Sequence, residues 1–97
     1  QVRGDQLTLW EEMQEFMMLG LRLTQEGISR SEFRDRFAYS MDEVFSRQID
    51  KLNKAGLLEN QPEQPDRVRL TRRGVAFGNR VFVEFVGNKP PAFLRDQ

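Results

Sequence analysis

The spacing Ser/Thr-x-x-Glu occurs three times in the first half of the chain, at Thr8/Glu11, Ser29/Glu32 and Ser40/Glu43, and it marks three helix starts. In this arrangement each side chain satisfies a backbone N–H that the first helical turn leaves without a partner. The first signature opens a helix predicted over Leu9 to Leu23. On a helical wheel Leu9, Met13, Phe16, Gly20 and Leu23 form one stripe, flanked by Trp10, Met17 and Leu21 on one side and Leu19 on the other. The apolar arc covers about 200°, roughly twice what a surface helix needs. Glu11, Glu15 and Arg22 hold the polar remainder, with Met18 among them as an exposed thioether. Gly27 ends the turn before the second signature, which opens a short helix through Phe33 and Phe37, four apart and on one face. The third opens a helix from Met41 to Ala55 with Val44, Phe45, Ile49 and Leu52 at helical spacing, and Gly56 suits the left-handed position that closes it.

After Gly56 the pattern changes. Leu57 to Glu59 and Arg67 to Leu70 read as extended pieces, separated by the turn formers Asn60, Pro62, Pro65 and Asp66, which predicts a two-stranded hairpin with a long polar tip. Thr71 resembles an N-cap for a last segment, Arg72 to Val86. Its Val81 to Val86 stretch is β-branched and aromatic enough for a strand, but its length and the Arg80/Glu84 spacing favour a helix. The order helix, helix, helix, hairpin, helix is mainly α: a winged-helix-like three-helix core with a two-stranded β-hairpin wing and an additional C-terminal helix. Residues 1–6 are expected to be a flexible leader, 7–87 one domain and 88–97 a tail containing Pro90 and Pro91.

At 97 residues the chain is sized for one core. It has no His and no Cys, which removes imidazole and thiolate catalysis and nearly every transition-metal or iron–sulfur site. A disulfide-free chain without a signal peptide fits a reducing, cytoplasmic setting. Lys plus Arg, at 15, balances Asp plus Glu, also 15, so no net field draws the molecule to nucleic acid or anionic lipid. No apolar run reaches the roughly 20 residues of a membrane span. DNA binding through the Met41–Ala55 helix is disfavoured, because Asp42, Glu43 and Asp50 share its exposed side and the hairpin carries Glu59, Glu63 and Asp66 where phosphates want cations.

Other groups have ordinary readings. Arg67, Arg69, Arg72 and Arg73 form the densest basic cluster, which suits a solvated strand edge. Met17 fits core packing better than metal or haem ligation, and Met18 fits an interface contact. Glu11 and Glu15 are i, i+4 neighbours without a phosphate loop or nucleophile elbow beside them, and Arg3-Gly4-Asp5 is too short a string to mean adhesion. No catalytic, cofactor-binding or metal-binding residue is assigned. The surplus apolar surface does need a cause. Val75, Ala76, Phe77, Val81, Phe82, Val83, Phe85 and Val86 occupy nearly the whole wheel of the last segment, and a domain this small cannot bury two such helices on all sides. The first and last helices are expected to pack together and present a face to something else. Gly20 fits close helix approach, since an interior helical glycine otherwise costs about 1 kcal/mol.

These same residues resemble the C-terminal domain of the oxygen-independent coproporphyrinogen III oxidase family, in particular its haem-chaperone-like branch. The resemblance runs from about Leu7 to Gly87. It lies in EFMMLGLRL (Glu15–Leu23), Gly27-Ile28, FRDRF (Phe33–Phe37), the Lys51–Leu52 and Gly56–Glu59 helix end, RLTRRG (Arg69–Gly74) and NRVFVEFV (Asn79–Val86). Ala38 departs from the pattern, which has glycine there. The resemblance implies an upstream radical S-adenosylmethionine barrel whose three-cysteine motif holds a [4Fe-4S] cluster; the start at Gln1 rather than Met agrees with a piece of such a protein. It implies a parent that either decarboxylates coproporphyrinogen III oxidatively or binds haem and delivers it to respiratory proteins. For this chain it implies a non-catalytic accessory domain that docks on the barrel and helps enclose a porphyrin, haem or partner site. Trp10, Met18, Leu19, Phe77 and Phe85 are the candidate interface, and self-association through that face is a corollary.

Overall fold

A computed structural model describes residues 8–23, 25–86 and 90–95. The first helix, α1, spans Leu9–Leu23 as its capping signature and wheel predict. The cap is reciprocal: the Thr8 backbone N–H donates to Glu11 Oε1 (2.9 Å) and the Glu11 N–H donates to Thr8 Oγ1 (3.1 Å). Its buried stripe is Met13, Met17 and Leu21. Leu23, placed on the core stripe by the wheel, is instead 71% exposed and borders a surface hollow with Val75 and Phe82.

A strand that sequence reasoning did not anticipate follows. Ile28–Ser29 (β1) pairs antiparallel with β3 (Gln64–Leu70), which in turn pairs with β2 (Leu58–Gln61), giving the order β1-β3-β2. Gly27 makes this possible. Its φ is +93°, and a Cβ there would overlap the Val68 carbonyl, so only glycine lets the two backbones meet. Two residues are too few to show a period, so β1 leaves no signal in the sequence. The hairpin also differs from expectation. Its strands run further and its tip is short, because Gln61 Oε1 accepts the N–H groups of Glu63 (2.7 Å) and Gln64 (2.9 Å) and closes the turn.

Ser29 caps α2 (Arg30–Phe37), accepting the Glu32 N–H at 3.1 Å. The C-cap is Ala38, at φ 64° and ψ 18°. The family pattern has glycine there because the position is left-handed, which costs an L-residue about 1–2 kcal/mol. The third helix is two pieces, α3 (Met41–Val44) and α4 (Ser46–Lys54), parted at Phe45, whose φ and ψ are −114° and 30°. The Phe45 ring sits at the centre of the aromatic core, stacked on Trp10 at 5.1 Å and edge-on to Phe85 at 5.3 Å and Phe33 at 6.1 Å. Ser40 begins α3 without a side-chain cap bond.

Thr71 caps α5 (Arg72–Ala76) by accepting the Gly74 N–H at 2.9 Å. The final helix is again two pieces, α5 and α6 (Gly78–Val86), broken at Phe77 with φ −114° and ψ 40°. Helix rather than strand is correct for Val81–Val86. Within the expected tail, Ala92–Arg95 forms one helical turn, α7, whose Leu94 is buried in the core and whose Phe93 lies against Tyr39 at 5.6 Å. The leader 1–6, with Arg3-Gly4-Asp5, lies outside the described residues. Among the described residues no helix is long and apolar enough to cross a membrane.

Candidate functional site

The helices α1 and α6 run antiparallel. Gln14 Nε2, in the second turn of α1, donates to the carbonyls of Phe85 and Val86 (3.2 Å to the latter), supplying a partner to the C-terminal end of α6. At the other end Arg22 and Phe82 line one hollow with Gly78. A Lys51–Glu84 ion pair at 2.7 Å ties α6 to α4. Gly20 serves close approach, but to β1 rather than to a helix: a Cβ there would overlap Ile28 Cγ2.

Beside this seam lies an open groove. Glu11, Glu15, Met18 and Arg22 fall at i, i+4, i+7 and i+11 along one face of α1, and with Gln14, Leu19 and Phe82 they line a hollow of about 330 Å³. Past Arg22 and Phe82 it continues into a second hollow of about 510 Å³ bordered by Leu23, Leu70, Val75 and Gly78. Leu19 is 45% exposed, Phe77 50%, Val75 68% and Val83 64%.

The five candidate interface residues separate accordingly. Met18 and Leu19 line the groove, and Phe77 is open with the Arg73 guanidinium over its ring at 5.8 Å. Trp10 is half-buried against Phe45 and borders the core. Phe85 is a correction: at 0% exposure it belongs to the core, edge-on to Phe45. The break at Phe77 re-aims α6, so Val81 and Phe85 turn inward while Phe82 lines the groove and Val83 faces out. A single uninterrupted wheel over Arg72–Val86 cannot register that. Leu23, Val75 and Phe82 line the groove without having been among the five candidates.

The wing side is polar, with a shallow hollow of about 580 Å³ bordered by Arg30, Asp42, Arg47 and Asn60. Arg30 donates from Nε to Asp42 Oδ2 (2.8 Å), from one terminal nitrogen to the Pro65 carbonyl (2.9 Å) and from the other to Asn60 Oδ1 (2.9 Å), joining α2, α3 and the hairpin. Asp66 accepts from Ser29 Oγ (2.7 Å), the Ser31 N–H (3.2 Å) and Ser31 Oγ (3.0 Å). The Ser29 hydrogen bond, joined by those from Ser31 and by the charge of Arg30, holds the Asp66 carboxyl below its ordinary pKa against the opposing effect of desolvation. Arg69 pairs with Glu59 across the strands at 2.8 Å, and Arg67 donates to the Gly27 carbonyl at 3.0 Å. Among the described residues no three His, Cys, Asp or Glu side chains gather where they could hold a metal ion.

Comparison with known proteins agrees with the resemblance read from the sequence. The HemN C-terminal domain model matches residues 7–77. The heme chaperone HemW of Bacillus subtilis (strain 168) is 35% identical over 82 residues, 84% of this chain and 21% of that protein. The heme chaperone HemW of Lactococcus lactis subsp. lactis (strain IL1403) is 29% identical over 85 residues, 88% of this chain and 21% of that protein. The chain thus spans about a fifth of the length of the curated relatives it matches. No solved structure matches it. With the family model covering most of the chain and its haem-chaperone relatives aligned over 84% and 88% of it, the chain belongs to the HemN C-terminal domain family.

Proposed function

We propose that this chain is the non-catalytic accessory domain of a haem-handling, cytoplasmic radical S-adenosylmethionine protein, and that it docks on the upstream barrel through the α1/α6 face and helps enclose a haem or porphyrin site. The observation that carries this reading is the open groove of Met18, Leu19, Phe82, Leu23 and Val75, an apolar face on a chain that spans about a fifth of the length of its curated relatives. With no Cys and no His, the chain does not fit a [4Fe-4S] cluster, so the cluster and S-adenosylmethionine would be held upstream. On this reading the domain's contribution is to bind, to orient its partner surface and to exclude water. Nucleic acid is disfavoured because Arg30, Arg67 and Arg69 are committed to partners within the molecule.

The test is haem retention by the longer polypeptide, followed by its Soret absorbance during haemin titration. The double substitution Leu19→Asp with Phe77→Asp is expected to weaken retention several-fold while leaving the thermal melt of the 97-residue chain nearly unchanged. Unaltered retention would count against docking through this face.

A further inference from the structure

The charges on the groove rim narrow what can lie in it. From Glu11 to Leu23 the groove follows α1 for about 18 Å, at roughly 1.5 Å per residue, which is the length of a three-turn helix. Glu11 and Glu15 stand at one end and Arg22 beyond the middle. Glu15 and Arg22 make no ion pair among the described residues, and seven residues of helix, about 10 Å, keep them from neutralising each other. Glu11 accepts the Thr8 N–H through Oε1. Nearby Glu12 faces Arg36 at 3.8 Å, and Arg36 lines with Arg67 and Glu32 a separate hollow on the other flank of Glu15. Between the charges the floor is Met18, Leu19 and Phe82 with Gln14 beside them, and beyond Arg22 it is Leu23 and Val75.

We infer that the groove takes a cationic amphipathic segment of the upstream polypeptide, about three helical turns long, with Lys or Arg against Glu11 and Glu15 and an apolar row over Met18 and Phe82. This rests on the docking reading above. Within the groove two carboxylates face one guanidinium, which opposes a tetrapyrrole, made anionic by its propionates, and favours a segment of opposite charge. The source is upstream sequence because the matched relatives are about five times the length of this chain, and the family's domain is their C-terminal one.

The test is the rate of Met18 oxidation by hydrogen peroxide in the longer polypeptide, mapped by mass spectrometry. Glu15→Lys is expected to raise that rate about tenfold, the effect of roughly 1.4 kcal/mol of lost pairing, and Glu15→Gln to raise it less. Glu15 has no ion pair to lose among the described residues, and an unchanged melt of the 97-residue chain checks that the variant domain folds. If Met18 is shielded and Glu15→Lys leaves it so, the cationic partner is wrong and docking survives. An unshielded Met18 in the parent polypeptide removes both. Shielding of Met18 in the 97-residue chain by added haemin, or by raising its own concentration, overturns the inference in favour of a porphyrin or a second copy.

Discussion

The wing side and the α1/α6 side of this molecule resolve their surfaces in opposite ways. Around Arg30 and Asp66 the charged groups meet partners inside the fold: one guanidinium joins α2, α3 and both strands of the hairpin, and one carboxylate gathers Ser29 and Ser31. Along α1 and α6 the surface stays apolar and open, with Leu19, Leu23, Val75 and Val83 exposed. In a winged helix the first of these sides is the one that meets DNA. Here Arg30 and Asp66 are engaged within the fold, and the open apolar surface is the helical one.

The largest expected effect tests whether core and groove are as distinct as they look. Phe85→Ala should cost about 3–5 kcal/mol in urea denaturation of the chain, whereas Leu23→Ala, at a 71% exposed position, should stay within about 0.5 kcal/mol. Equal losses would mean that the groove is part of the core. Next, Arg30→Ala should destabilise by about 1–2 kcal/mol, since three hydrogen bonds lose their donor at a half-buried site. It should also speed amide exchange in the hairpin, and a silent Arg30→Ala would show the wing to be held by its strands alone.

Smaller effects sharpen the picture at the joints. Ala38→Gly should stabilise by about 0.5 kcal/mol, the relief of a left-handed alanine less the entropy glycine adds to the unfolded chain. A destabilised Ala38→Gly in a thermal melt would argue that Ala38 is not left-handed. The Asp66 carboxyl has a folded pKa below its unfolded one. Its contribution is therefore complete above the ordinary carboxylate value and fades as pH falls through the lowered one. Asp66→Asn should lessen the loss of stability below about pH 4. The change will be small because the group is exposed and screened.

Much of the fold is legible in the sequence where local chemistry decides it. The Thr8/Glu11 box gives the start of α1 and Thr71 the start of α5, because each cap is complete within four residues. Gly56, at φ +77°, ends the third helical region as its position implies. The breaks at Phe45 and Phe77 are not legible, since apolar periodicity continues across both and the backbone turns for tertiary reasons. That turn is also why Phe85 was misplaced at the interface: once α6 is freed from α5, Phe85 points to Phe45 and Phe82 takes the outer position. β1 depends on a backbone approach at Gly27 that only the folded chain reveals.

Oxidation of the methionines by hydrogen peroxide tests docking most directly, because Met13, Met17 and Met41 are buried and serve as internal standards for half-buried Met18. Met18 is expected to oxidise readily in the 97-residue chain and to become as slow as the other three in the longer polypeptide. Equal Met18 rates in the two, with the buried three unchanged, would contradict docking through the α1/α6 face.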